Sequence, residues 1–171
     1  EPLGDPLNGD ALYDYFGSSV SLSDDGTTLA IGAPYYDVNG DDSGQVKIFK
    51  FDDTTANFKQ RGPSIYGIAA QDRFGSSVVL SSDGNTLAVG APQWSSQWVT
   101  DKPGFVEVLR LDEDTMVYKQ LGQTLNGDMP GDWFGYLVAL SEDGKKLAVG
   151  APFNDEDGVD SGEAKTYNID F

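Results

Sequence analysis

The chain has 171 residues, enough for one domain with a sizeable core, because a chain of this length buries roughly 70% of its unfolded surface. It contains no cysteine and no histidine, which excludes disulfides, thiolate and imidazole metal sites, Ser/His/Asp triads and Cys/His pairs, and leaves carboxylates as the only plentiful reactive groups. With 28 acidic residues against 11 basic ones the formal net charge is −17, a field that repels nucleic-acid phosphates and anionic membrane surfaces.

No apolar run approaches the roughly 18 residues of a membrane span, and residues 1–20 lack the basic start and apolar stretch of a signal peptide. The composition therefore predicts a soluble protein with neither nucleic acid nor membrane insertion among its interactions.

Residues 3–10, Leu-Gly-Asp-Pro-Leu-Asn-Gly-Asp, match Leu-Gly-Gln-Thr-Leu-Asn-Gly-Asp at 121–128. The first of three similar units, residues 11–64, then begins with Asp-Tyr-Phe-Gly-Ser-Ser-Val at 14–20. A Ser-Asp-Asp-Gly turn at 23–26 and the run Leu-Ala-Ile-Gly-Ala-Pro at 29–34 follow. Short segments rich in Val, Ile, Leu and aromatics, parted by Gly, Asp, Asn, Ser and Pro, predict strands at 17–23, 28–33, 45–51 and 57–61. Asp-Gly supplies the positive φ of the first hairpin. The second strand is apolar on consecutive positions and ends in Gly-Ala, as suits a strand buried on both faces. The third carries apolar residues on one face and then the other, which predicts either cover on both sides or a bulge.

Between Gly-Ala-Pro and the third strand lies an acidic loop, with Asp37, Asn39, Asp41 and Asp42 around Gly40. Oxygens at alternate positions are a donor set for a hard cation such as Ca²⁺. The same residues also suit a solvated turn that uses left-handed backbone.

The second unit, residues 65–124, repeats the pattern with Asp-Arg-Phe-Gly-Ser-Ser-Val at 72–78 and Leu-Ala-Val-Gly-Ala-Pro at 87–92, but its loop is two residues longer and reads Gln-Trp-Ser-Ser-Gln-Trp from 93. Trp94 and Trp98 are candidate ligand contacts, since indoles offer large contact area to a sugar ring or a protein partner; the alternative is that they cover the edge of the adjacent unit. The third unit, residues 125–171, has Asp-Trp-Phe-Gly-Tyr-Leu-Val at 132–138 and restores the acidic loop with Asp155, Asp157 and Asp160 around Gly158. Asp14, Asp72 and Asp132 precede each Phe-Gly and are expected to accept backbone hydrogen bonds.

Four antiparallel strands repeated every 60 residues or so are the signature of β-propeller blades. The fold expected is therefore all-β, a single array of three blades preceded, in residues 1–10, by the last strand of a preceding or closing blade. Three blades are fewer than the usual minimum of about four. Three arrangements remain open: an excerpt of a longer propeller, two chains joined in a ring, and an open array joined by free ends.

Phe-Gly at 16–17, 74–75 and 134–135, each followed by Gly-Ala-Pro, resembles the FG-GAP repeat of integrin α-chain propellers and their microbial relatives. The Leu-Ser-x-Asp-Gly element is also similar to repeat proteins of marine bacteria and algae. The resemblance implies a surface or secreted location. The family's calcium loop, Asp-x-Asp-x-Asp-Gly between the two motifs, is not matched, since Ser-Asp-Asp-Gly, Ser-Ser-Asp-Gly and Ser-Glu-Asp-Gly stand there. Adjacent carboxylates such as Asp24 and Asp25, or Asp41 and Asp42, point apart on turns, so no catalytic residue and no enzyme is expected. The function expected is a non-enzymatic extracellular or cell-surface adhesion module recognising protein or glycan through propeller loops. The alternative is a structural subunit of an extracellular filament or assembly joined by terminal strand exchange.

Overall fold

The computed structural model describes residues 1–93 and 102–170. The first sheet contains β1 (Ser19–Leu22), β2 (Thr28–Ala33), β3 (Gln45–Asp52), β4 (Asn57–Gln60) and β5 (Ile65–Tyr66). The second contains β6 (Ser77–Leu80), β7 (Thr86–Ala91), β8 (Phe105–Asp112), β9 (Val117–Gln120) and β10 (Leu125–Asn126). The third contains β11 (Leu137–Leu140), β12 (Lys146–Ala151) and β13 (Glu163–Asn168). All strand pairs are antiparallel, and no helix occurs among the described residues.

The register repeats from sheet to sheet. Val20 faces Ile31, Val78 faces Val89 and Val138 faces Val149 across the first hairpin. Each hairpin is closed by the aspartate of Ser-x-Asp-Gly. The Oδ1 atoms of Asp25, Asp83 and Asp143 each accept a 2.6 Å hydrogen bond from the serine hydroxyl two residues earlier. They also accept from the backbone N–H two residues later. These bonds hold the Asp25 and Asp143 carboxyls below the usual range, and the turns are structural, as their lack of further carboxylates suggested.

β3 resolves the ambiguity of the third strand. Its ladder to β2 runs unbroken from Thr28 opposite Lys50 to Ala33 opposite Gln45, and its first five residues are buried. The strand is covered on both sides, without a bulge. The outer edge differs from the single fourth strand expected at 57–61. β4 pairs with the second half of β3, while β5 pairs with its beginning, Ile65 opposite Val46. Gly62, at φ +72°, turns the chain out of the ladder between them, and Pro63 has no N–H to donate.

The sheets pack face to face around the first strands β1, β6 and β11, which neighbour one another in series. Ser19 Oγ donates to the Gly75 carbonyl at 2.7 Å, Leu80 N–H to Ser21 Oγ at 2.9 Å and Val138 N–H to Ser77 Oγ at 3.1 Å. One core lies between the first two sheets, with Ala30, Val46 and Ile48 against Phe74, Val78, Leu80 and Val89. A second lies between the next two, with Ala88, Val106 and Val108 against Phe134, Leu147, Val149 and Ala151. The glycine of Gly-Ala-Pro makes this packing possible: a Cβ on Gly32 or Gly90 would stand 2.0 Å from the carbonyl oxygen of Gly75 or Gly135 in the next sheet.

Candidate ligand pocket in the second blade

The aspartates before Phe-Gly are corner fasteners. Asp14 Oδ2 accepts from Ala11 N–H at 2.9 Å, Asp72 Oδ2 from Ile68 and Ala69 N–H at 3.1 and 2.8 Å, and Asp132 Oδ2 from Met129 N–H at 3.1 Å.

The acidic loops form matching turns. Asp37 Oδ1 accepts from Asp42 N–H at 2.8 Å, and Asp155 Oδ1 from Asp160 N–H at 2.7 Å. Asp42 and Asp160 both have left-handed backbone, at φ +54° and +53°, which Asp tolerates better than most residues. The loop side chains are then turned to different tasks. Asn39 Nδ2 donates to the Gly67 carbonyl at 2.7 Å, and the Asp42 carboxylate pairs with Arg73 of the next blade at 2.9 Å. Asp41 uses its carbonyl, which accepts from Gln71 N–H at 2.8 Å. Among the described residues no three acidic side chains converge as a metal-holding cluster, so Asp37, Asp41 and Asp42, like Asp155, Asp157 and Asp160, are not gathered round one point. Trp94 and Trp98 lie outside the described residues.

The ends of the loop that carries those tryptophans, Gln93 and Lys102, line a cavity of about 390 Å³ together with Ile68, Asp72, Phe105 and Glu107, a volume within the range of small-molecule sites. Thr124 and Asn126 add a hydroxyl and an amide. Asp72 is 1% exposed and its Oδ1 accepts from Gln93 Nε2 at 2.8 Å and Lys102 Nζ at 3.2 Å. Gln93 Oε1 in turn accepts from Gly104 N–H at 3.2 Å. The polar wall of the cavity is thereby fixed before any ligand arrives.

Glu107 breaks the repeat. Its register position, opposite Val89 on β7, is that of Lys47 opposite Ile31 and Lys165 opposite Val149. In the flanking blades those lysines form ion pairs, Lys47 with Asp10 at 2.6 Å and Lys165 with Asp128. The second blade has a carboxylate instead of the lysine and Ile68 instead of the aspartate. Phe105 likewise replaces the polar Gln45 and Glu163. Burial, and then the nearby charge of Asp72, push the Glu107 carboxyl upward.

Because its folded pKa is raised, ionised Glu107 disfavours the folded state at neutral pH, and this cost disappears as pH falls through that pKa. Glu107→Gln is therefore expected to melt higher than the parent chain at pH 7. The gain should shrink on acidification and vanish below the ordinary glutamate pKa of about 4.3. Thermal melts of both proteins across pH check this; an equal gain at every pH would contradict it.

Three face-packed antiparallel sheets with a repeated register are blades of a β-propeller. The FG-GAP repeat family model matches residues 8–49 and 125–167, so the chain carries FG-GAP repeats at two places, as its Phe-Gly and Gly-Ala-Pro motifs implied. No curated protein sequence matches it. Among solved structures it is similar to the periplasmic gluconolactonase PpgL of Pseudomonas aeruginosa, at 20% identity and TM-score 0.58, over 89% of this chain and 39% of that one. It is also similar to a eukaryotic initiation factor, at 14% identity and TM-score 0.53, over 95% of this chain and 32% of that one. The chain thus spans less than two-fifths of the length of either structure.

These likenesses concern the fold, and they correct one expectation. A gluconolactonase stands on a similar fold. The reading of this chain as no enzyme therefore does not stand. It rested on motifs local in sequence, whereas a propeller joins residues from distant positions. Asp72 and Glu107 share one pocket, although neither belongs to an adjacent carboxylate pair.

Proposed function

We propose that this chain, whose propeller repeat fold supports a binding or structural module in general, recognises a glycan at the second blade, as part of a secreted or cell-surface protein. The observation that carries the proposal is local. The second blade departs from its neighbours at Phe105, Glu107, Ile68 and the 93–102 loop, and Ile68, Gln93, Lys102, Phe105 and Glu107 line an open cavity. The cavity joins an apolar wall, Phe105 and Ile68, to carboxylates, an ammonium, amides and a hydroxyl. That mixture suits a polyhydroxylated ring, whose C–H faces pack on apolar surface while its hydroxyls both donate and accept. Trp94 and Trp98, on the loop whose ends line the cavity, are proposed to add stacking area. The surface location rests on the family resemblance, and the net charge of −17 is compatible with solubility in a salty medium.

The test is a glycan array probed with the parent chain, followed by titration of the best ligand against Trp94→Ala, Trp98→Ala and Glu107→Gln. A hot-spot aromatic contributes about 2 kcal/mol or more, so at least one tryptophan variant is expected to lose tenfold or more in affinity, and Glu107→Gln to weaken binding as well. Undiminished binding by all three variants would overturn the proposal.

A further inference from the structure

The second-blade pocket lacks a charge that the flanking blades supply for themselves. In the first blade Lys47 Nζ stands 2.6 Å from Asp10 Oδ1, and Gln45 Nε2 donates to Asp10 Oδ2 at 3.3 Å. In the third blade Lys165 pairs with both Asp128 and Glu163. Each flanking blade thus fills this place with a cation and its own acid. The second blade has Ile68 where the aspartate stands, Phe105 at the position of Gln45 and Glu163, and Glu107 where the lysine stands. The charge at that register position is reversed, and neither replaced neighbour is basic.

Glu107 is therefore left without an internal counter-ion. Among the described residues its carboxylate takes part in no hydrogen bond and no ion pair. Lys102, the basic residue on the cavity wall, is directed at Asp72 Oδ1, 3.2 Å away. Glu107 is half-buried on β8, so water solvates its charge only in part, and burial followed by the Asp72 charge pushes its carboxyl upward. A cation brought from outside would offset both effects, since an opposite charge within about 4–6 Å favours the ionised form. The apolar part of the site is open as well: Ile68, on the cavity wall, is 78% exposed. The net charge of −17 adds a long-range field that draws cations in and repels acidic sugars.

We propose that the pocket selects amino sugars, with a ring packed on Ile68 and Phe105 and its ammonium beside the Glu107 carboxylate. The inference rests on the glycan reading of the same pocket and narrows it to one chemical class. Uronic and sulfated sugars carry the opposite charge and are disfavoured at Glu107. A lysine-rich peptide offers the same ammonium, but it has no polyhydroxylated ring to meet the Thr124 hydroxyl and the Asn126 amide on the opposite wall segment. The amino sugar satisfies both halves of the site.

Calorimetric titration near neutral pH and at physiological salt, with tetrasaccharides of glucosamine, N-acetylglucosamine and glucose in one linkage, tests this. Only the first is cationic. The parent chain is expected to bind it at least tenfold more tightly than either neutral sugar, the scale of a hydrogen bond to a charged group. That preference should vanish in Glu107→Gln, which is expected to fold at least as stably as the parent, and persist in Asp24→Asn, on the exposed hairpin of the first blade. Equal affinity for all three sugars would overturn the amino-sugar inference while leaving the glycan reading in place. Binding of none of them overturns the inference, and a glycan array without any binder would remove the glycan reading as well. A preference kept in Glu107→Gln would assign it to overall charge and overturn the inference. So would a tetralysine peptide that binds as tightly as the glucosamine tetrasaccharide and loses as much in Glu107→Gln.

Discussion

Gly90→Ala is expected to destabilise the chain by about 3 kcal/mol, the upper end of the range for overpacking. The added methyl would sit 2.0 Å from the Gly135 carbonyl, with that residue's carbonyl carbon and Cα at 3.0 and 3.4 Å. Backbone atoms cannot rotate aside as a flexible side chain could. Relief requires the second and third blades to part, which loosens contacts of Ala88, Val106 and Val108 with Phe134 and Val149. Chemical denaturation of parent and variant measures the loss; a change under about 1 kcal/mol would mean that the blades are not held as closely as the structure places them.

Asp72→Ala is expected to cost about 3–5 kcal/mol, the range for removing one partner from a buried charged network. Four donors converge on this carboxylate: Ile68 and Ala69 N–H, Gln93 Nε2 and Lys102 Nζ. Alanine leaves all four without this acceptor, and Gln93, 8% exposed, has little access to water in compensation. Asp14→Ala provides the internal comparison, because among the described residues its carboxylate accepts only the Ala11 N–H bond. It should cost about 1 kcal/mol, the usual net value of one hydrogen bond. Equal losses at the two positions would show that the second blade's aspartate does no more than fasten its corner.

The architecture was legible because the residues that specify it are constrained by backbone contact. Phe-Gly and Gly-Ala-Pro recur since Gly75 must lie on Gly32 and Gly135 on Gly90, and the Ser-x-Asp-Gly turns recur since Asp25, Asp83 and Asp143 each close a hairpin. The division of the outer edge into β4 and β5 was not legible, because Arg61 continues the pairing pattern, its N–H donating to the Ile48 carbonyl, up to the left-handed Gly62.

The acidic loops were ambiguous for a different reason. Alternate Asp and Asn residues suit both a cation and a turn, and only the placement of side chains distinguishes the tasks. Here Asp37 caps its own loop, while Asn39 and Asp42 reach toward the neighbouring blade.

The pocket went unread although its signal lies in the sequence. Aligning the three units sets Glu107 beside Lys47 and Lys165, and Ile68 beside Asp10 and Asp128. The simultaneous loss of both members of an ion pair marks the second blade as different. Without the register, however, nothing connects position 68 to position 107.

Mapping a bound glycan by amide chemical shifts in the labelled chain tests the central claim most directly. The shifts are expected to cluster at Ile68, Gln93, Lys102, Phe105, Glu107 and Asn126, and to disappear in Glu107→Gln at the same ligand concentration. Shifts confined to the first or third blade, or unchanged in that variant, would contradict recognition at the second-blade pocket.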